Sequence, residues 1–297
     1  MSRIFWLGLA AVAWTVPVHA APETFNTALP VARGEFIFRA QFIATGKGDD
    51  AGPADRDVAV VGAASVLGYG VTPDLALFGV LPFLHKELDL TTPDGARVSR
   101  NTSGIGDARL FARYTIFKRV GPGLNFRVAP FFGVELPTGD DNDRDSLGRL
   151  PATLQLGSGS RDPFGGVVVT YQTLDFQVDA QASYKLNTSA NDFELADEAR
   201  LDGSLQYRLW PRELGRGVPA FVYGVLEANL LHRDKNETGG VKDGNSGGTS
   251  LMIAPGLQYI SKRWILEAIV QVPVFQDLNG TALKDDLTVR AGFRVNF

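Results

Sequence analysis

Apolar and polar residues alternate along the end of the chain, from Leu287 to Phe297. Apolar side chains stand at every odd position, and polar or small ones stand between them. Because side chains alternate between the two faces of a strand, this stretch predicts a β-strand with one apolar and one polar face. A strand that crosses a bilayer needs about 9–11 residues, so the stretch is long enough to span a membrane. A half-buried strand at the end of a soluble sandwich has the same pattern.

The same alternation recurs throughout the chain and predicts twelve strands. It is clearest at 174–186 and 200–209, where the two faces separate almost completely. The predicted strands are 35–44, 58–69, 75–83, 107–116, 126–136, 163–170, 174–186, 200–209, 220–231, 249–260, 264–275 and 287–297.

Long and short connections alternate between these strands. The long connections are 47–57, 87–103, 137–161, 187–196, 232–248 and 276–285, and short turns follow residues 70, 117, 170, 210 and 260. Outer-membrane barrels have an even number of strands, short periplasmic turns and longer extracellular loops, whereas a soluble sandwich has no reason to sort its loops by length. The pattern predicts a single all-β domain, a transmembrane antiparallel β-barrel of twelve strands in the bacterial outer membrane.

Aromatic residues near the predicted strand ends support a barrel in lipid. They fit the aromatic girdles that such barrels place at both membrane interfaces. These residues are Tyr69, Phe83, Tyr114, Phe126, Tyr184, Tyr207, Tyr259, Trp264 and Phe297.

The first twenty residues have the features of a secretory signal peptide. Arg3 precedes an apolar run from Ile4 to Val18, and Val18-His19-Ala20 fits a cleavage site of small residues. We therefore predict a signal peptide at 1–20 and a mature barrel domain at 21–297. Residues 21–33 read as a short polar lead-in, too short to form a plug domain.

Composition narrows the possible functions. The chain carries 29 basic and 33 acidic residues and has no basic run, which argues against a nucleic-acid partner. It has no cysteine, and the mature chain would hold only two separated histidines, His85 and His232, so we predict no metal site and no cofactor. A Ser–His pair for lipid hydrolysis would have to come from Ser246 and His232, which both fall in one Gly-rich loop, and we predict no enzyme activity.

The polar faces of the predicted strands supply the candidate functional residues. Nine charged side chains are predicted to line the lumen, and they are Arg39, Arg109, Arg113, Arg127, Asp175, Asp179, Asp202, Arg290 and Arg294. The arginines lie on strands 1, 4, 5 and 12, and the aspartates lie on strands 7 and 8, on the opposite side of a closed ring. We hypothesise a basic wall that faces an acidic wall and tunes ion selectivity. The alternative is that these charges pair and fill the lumen.

Five segments resemble a known family. They are GYGVTPDLALFGVLPF (68–83), GIGDARLFARYTIF (104–117), FFGVELPTGD (131–140), LQLGSGSRDPFGGVVVTYQ (154–172) and LMIAPGLQYISKRWILEAIVQVPV (251–274). They resemble outer-membrane proteins named for the meta-pathway of phenol degradation, which are relatives of the long-chain fatty-acid transporters. The resemblance implies a channel or transporter, often for hydrophobic or aromatic compounds, and it supplies no catalytic residues. The last strand, which ends on Phe297, resembles the signature that barrel assembly machinery recognises.

Together these observations predict an outer-membrane channel for passive uptake of small solutes. Its partners would be outer-membrane lipid, the solute, and the assembly machinery. A twelve-stranded barrel lies between the filled eight-stranded and the open sixteen-stranded types, so we expect a narrow pore, with the loop 137–161 as a candidate gate. The alternatives are a structural or adhesive surface barrel and, less favoured, a lipid-modifying enzyme.

Overall fold

The chain is a closed antiparallel β-barrel, as the alternation of its residues predicts. A computed structural model describes residues 20–213 and 220–297, so the predicted signal peptide before residue 20 and part of the turn after Trp210 lie outside the described residues. Among the described residues, no helix is long and apolar enough to cross a membrane.

Each barrel strand pairs with the next strand in the chain, and the last pairs with the first. Because the chain meanders in this way, no edge of the sheet is left open, which is the condition for a sheet in lipid. The strands are β1 (Phe36–Gly48), β2 (Asp57–Gly70), β3 (Leu75–Thr91), β4 (Arg97–Ile105 and Ala108–Tyr114), β5 (Leu124–Leu136), β6 (Asp162–Thr173), β7 (Phe176–Lys185), β8 (Glu198–Trp210), β9 (Ala220–Arg233), β10 (Gly248–Ser261), β11 (Trp264–Leu278) and β12 (Lys284–Asn296).

Alternate residues of each strand point to lipid and to the lumen. In β11, positions from Trp264 to Gln271 alternate strictly between exposed and buried. The exposed set carries the large apolar side chains, such as Leu266 at 50% exposure and Val274 at 55%. An outward apolar face of this kind is stable only against hydrocarbon, which confirms the barrel rather than the sandwich.

The contact between the first and last strands closes the barrel. The Phe36 N–H donates to the Phe297 carbonyl at 2.7 Å, and the Phe297 N–H donates to the Phe36 carbonyl at 3.0 Å. The two rings stack with their centroids 5.8 Å apart, and Phe36 also contacts the ring of Tyr69 at 4.7 Å. The C-terminal residue therefore completes the β12–β1 ladder at the end of the barrel that carries the short turns.

The prediction of a long loop at 87–103 is wrong. β3 continues to Thr91 and β4 begins at Arg97, so that only residues 92–96 form the connection. Charged residues lie on both faces of this hairpin, such as Glu87 and Arg100. The stretch therefore lacks the alternation of apolar and polar residues by which the other strands were predicted. Beyond the bilayer both faces of a hairpin meet water or polar loops, so the apolar half of the alternation is lost.

The N-terminal segment, residues 20–34, lies inside the barrel and is not a peripheral lead-in. Ala28 is completely buried, and Ala20, Glu23 and Val31 are nearly so. The segment leaves the lumen beside the end of β2, where the Gly34 N–H donates to the Gly70 carbonyl at 2.8 Å. The strand must carry glycine there, because a Cβ on Gly70 would lie 2.1 Å from the carbonyl oxygen of Ala32.

We expect deletion of Phe297 to lower both the yield of folded barrel and its stability. The deletion removes the two hydrogen bonds between Phe36 and Phe297, each of which contributes about 0.5–1.5 kcal/mol, together with the ring contact. Heat-modifiable mobility on gels and urea unfolding in lipid would measure the loss. Phe297→Ala separates the two contributions, since it keeps the backbone bonds. Equal stability of the deletion and the full chain would contradict the proposed role of this closure.

Candidate functional site: the barrel lumen

The N-terminal segment is held against β9 and β1 by side chains that satisfy its backbone. The Glu227 carboxylate accepts hydrogen bonds from the N–H groups of Glu23 at 2.7 Å and Thr24 at 3.2 Å. On the β1 side, the Glu23 carbonyl accepts from Arg39 at 2.9 Å and from Gln41 at 3.0 Å. The segment has no secondary structure of its own at this point, so the barrel wall supplies the partners that its backbone needs.

Further along, the segment crosses to the other side of the lumen. The Thr27 hydroxyl lies 3.1 Å from the Thr170 hydroxyl of β6 and donates to Asp179 of β7 at 3.0 Å. The Arg113 guanidinium of β4 then donates to the Leu29 carbonyl at 2.6 Å. The segment thus contacts strands around most of the barrel and narrows the half of the lumen nearest the short turns.

The Glu23 side chain is buried in this narrow region. Burial, reinforced by the neighbouring carboxylates of Glu267 and Glu227, raises the pKa of Glu23 to about 9. A buried carboxyl group with other carboxylates close by is more stable in its protonated form. The raised pKa favours the protonated, neutral form of this carboxyl group.

A cavity of about 490 Å³ lies beside the segment. Its walls come from the segment itself and from inward positions of β1 to β8 and β12. Among the described residues that line it, seven are basic and three are acidic. The basic residues are Arg39, Arg109, Arg113, Arg127, Lys185, Arg200 and Arg294, and the acidic ones are Glu23, Glu35 and Glu198.

The six arginines predicted for the lumen differ in their partners. Arg39 pairs with Glu267 at 2.6 Å, and Arg109 forms an ion pair with Glu135. Arg290 donates to Gln271 at 2.8 Å and to Gln41 at 3.2 Å.

The other three, Arg113, Arg127 and Arg294, line the cavity. The Arg113 side chain is 6% exposed, and the described residues place no carboxylate within 4.0 Å of Arg113 or Arg127. Arg39 and Arg109 are thus paired with carboxylates of the barrel wall, whereas Arg113 and Arg127 leave positive charge on the cavity.

The three predicted aspartates also occupy different surroundings. Asp179 is 1% exposed and is bonded to Thr27 and Gln177, and Asp202 is 2% exposed and pairs with Arg200 at 3.1 Å. Asp175 is placed differently from the prediction, because it lies in the turn before β7 rather than on the strand. Its side chain is 66% exposed and contacts Arg208 at 2.5 Å.

Two groups of lumen residues were not among the predicted site residues. The first is the pair of carboxylates Glu227 and Glu267, which hold the segment and Arg39. The second is a group of inward phenylalanines, which are Phe78, Phe111, Phe131 and Phe164. Strand parity places Phe111 and Phe131 inward from the sequence, but the meeting of rings from four strands depends on register, which the sequence does not show.

The loop 137–161 folds over the inner face of β2 and β3 at the other end of the lumen. Leu150 and Leu154 are buried against Leu88, with Val58 and Leu90 beside them. All three of these strand residues stand at inward positions. In addition, the Lys86 ammonium of β3 donates to the Gln155 carbonyl at 2.5 Å. The lumen is therefore narrowed at both ends, by this loop and by the N-terminal segment.

The described residues do not bring Ser246 and His232 together. The Ser246 hydroxyl donates to the Asp243 carbonyl at 2.9 Å and accepts from the Asn236 N–H at 2.9 Å. The His232 Nδ1 lies 2.8 Å from the Thr249 hydroxyl. Ser246 thus serves to fold its loop, and it is not placed beside a base as a nucleophile would be.

Comparison with known proteins agrees with this architecture. The crystal structure of the COG4313 outer membrane channel from Pseudomonas putida F1 superposes with a TM-score of 0.70, at 14% identity over 94% of this chain and 100% of that one. The β domain of the Bordetella autotransporter BrkA gives 0.48, at 14% identity over 89% of this chain and 100% of that one. No curated protein matches the sequence.

A family model also matches the chain directly. The family is described as "Putative MetA-pathway of phenol degradation", and its model matches residues 50–281. That range contains most of the barrel, from the first long loop to the last. It includes all five segments that carry the resemblance and most of the strands that line the cavity. The chain therefore belongs to this family, and its fold is that of the bacterial outer-membrane β-barrels.

Proposed function

We propose that this protein is a channel that lets small solutes cross the bacterial outer membrane passively. The observation that carries the proposal is the lumen, in which a cavity of about 490 Å³ lies beside the short N-terminal segment. The loop 137–161 also narrows the lumen. Neither obstruction is a folded domain, and both are held by contacts that side-chain motions can break. The resemblance to a Pseudomonas putida outer membrane channel and the family's phenol-degradation description support uptake of aromatic or hydrophobic compounds.

The basic character of the cavity implies a preference for anions. Charges that the wall neutralises, such as Arg39 with Glu267, contribute little field, whereas Arg113 and Arg127 add positive potential where the lumen is narrow. This proposal modifies the hypothesis of a basic wall that faces an acidic wall. The carboxylates of Asp179 and Asp202 accept hydrogen bonds from the barrel wall, and Asp179 also accepts one from the segment, so we assign them little part in the selectivity. The proposed selectivity arises from the arginines that face the cavity.

A disulfide between the segment and the wall should close the channel. The hydroxyls of Thr27 and Thr170 lie 3.1 Å apart, and the chain has no cysteine of its own, so Thr27→Cys/Thr170→Cys can form only this bond. We expect sugar flux into liposomes to fall several-fold on oxidation and to recover on reduction. Each single variant is the control. Equal flux in the oxidised and reduced forms would mean that the segment does not have to move, and no flux in wild type would contradict the channel itself.

Release of the loop 137–161 should enlarge the opposite entrance. Leu150→Asp places a carboxylate in the buried cluster with Leu88 and Leu154, which costs roughly 2–5 kcal/mol of docking energy and should free the loop. We expect higher single-channel conductance and more gating noise in planar bilayers. Leu147→Asp is the matched control, because Leu147 in the same loop is 57% exposed. Unaltered conductance in Leu150→Asp would argue against a gating role for this loop.

The reversal potential in a salt gradient would test the origin of the selectivity. Arg127→Glu reverses a charge that lines the cavity and should shift the preference from chloride toward potassium. Arg119→Glu makes the same change at an exposed position of the segment Phe117–Gly121, where Arg119 stands opposite Phe126 of β5, and it should leave the preference unchanged. Equal shifts in the two variants would assign the selectivity to overall charge instead of the cavity.

A further inference from the structure

The side of the cavity formed by β3 to β6 has an aromatic surface. The ring of Phe111 stacks on that of Phe78 with centroids 4.7 Å apart and an angle of 12°. It also meets the edges of the rings of Phe131 at 6.2 Å and Phe164 at 6.0 Å. Four phenylalanines on the water-facing side of a barrel are unusual, since lumen positions normally carry polar residues.

Three glycines on neighbouring strands make room for these rings. A Cβ on Gly68 would lie 2.7 Å from the ring of Phe78, and one on Gly166 would lie 2.8 Å from the ring of Phe131. A Cβ on Gly133 would lie 2.4 Å from the Cβ of Phe111 and 2.7 Å from the ring of Phe164. Each ring of the aromatic surface therefore lies against a glycine of an adjacent strand, which leaves space for it.

Two arginines with no carboxylate partner among the described residues, Arg113 and Arg127, border this surface. The Arg113 guanidinium lies 4.8 Å from the centroid of the Phe78 ring, in cation–π geometry. The Nη1 group of Arg127, on β5, is buried and has no hydrogen-bond partner among the described residues. Both arginines line the cavity. A buried donor and a buried cation without a carboxylate are both costly, and a bound anion would relieve both costs.

A backbone oxygen of the N-terminal segment now occupies the best anion position. The Leu29 carbonyl accepts from Arg113 at 2.6 Å, and Ala28 packs in the cluster with Phe131, to which Phe111 and Phe164 also belong. A neutral carbonyl is a weaker acceptor for a guanidinium than a carboxylate, which carries a full negative charge and can accept two parallel N–H bonds from the same side chain. A carboxylate solute therefore competes directly with the segment for the same donor.

We propose that the cavity binds small carboxylates with an aromatic or otherwise apolar body, and that binding displaces the Leu29 carbonyl from Arg113 and loosens the N-terminal segment. The apolar body lies on the phenylalanines and the carboxylate bonds to Arg113, while Arg127 adds positive charge to the same cavity. The inference rests on the proposed channel function and names the solute class that opens the channel. The volume of the cavity suits ligands of this size, since binding pockets for small molecules commonly measure about 300–1,000 Å³.

Three probe compounds separate the two parts of the site. Benzoate carries both the ring and the carboxylate, whereas acetate has no ring and benzyl alcohol has no charge. In planar bilayers, we expect benzoate to alter the single-channel current at concentrations at least about tenfold lower than either of the others, because only benzoate meets both surfaces. Arg113→Gln should abolish this advantage, and Arg119→Gln should preserve it. Arg127→Gln serves as a second variant if Arg113→Gln does not assemble.

The rate of disulfide formation in Thr27→Cys/Thr170→Cys reports the position of the segment itself. Benzoate should slow this rate several-fold, and acetate and benzyl alcohol should leave it almost unchanged. An equal rate with and without benzoate, or equal potency of the three probes, would overturn the inference. Sugar flux into liposomes distinguishes this failure from failure of the channel, because wild-type flux would persist if only the carboxylate site were wrong.

Discussion

Pairing of every backbone group inside the barrel wall is the constraint on which this structure depends. In hydrocarbon an unpaired N–H or carbonyl costs several kcal/mol, so the sheet has to close on itself. Closure occurs where Phe297 pairs with Phe36, and the register of β12 on β1 then sets which residues face inward. Arg39 and Arg294 stand opposite each other in that register and both face the lumen. Closure of the sheet thus decides which side chains of β1 and β12 line the cavity.

Closure creates a second requirement, because each inward polar group must also find a partner. From β6 to β11 the inward side chains meet this need among themselves and with the N-terminal segment, as the contacts of Glu227 and Thr170 illustrate. From β2 to β6 glycines and phenylalanines replace many of the polar groups, and a cavity remains there. The lumen therefore has one well-bonded side that anchors the segment and one aromatic, basic side that has room for a solute.

Strand positions could be predicted from the sequence wherever one face meets lipid, as in β7 and β11, because lipid enforces a strict period of two. The prediction failed where that contrast disappears. In the hairpin of β3 and β4 beyond the bilayer, both faces carry polar residues, and a loop was predicted. The position of residues 20–34 could not be predicted either, since their partners lie up to 237 residues away along the chain. Charges could be assigned to the lumen by parity, but their partners depend on register and on that segment.

The arrangement of the N-terminal segment bears on how a narrow barrel can be closed and still be opened. A folded plug has a core of its own and must unfold or leave as a unit. This segment has no such core, and its backbone forms hydrogen bonds with Glu227, Arg39 and Arg113 of the barrel wall. Each of these hydrogen bonds can be exchanged, because water or a solute can form an equivalent hydrogen bond with the same wall residue. An obstruction of this type can therefore be displaced one hydrogen bond at a time. The hydrogen bond that is replaced most easily is the one for which a solute supplies a better acceptor than a peptide carbonyl.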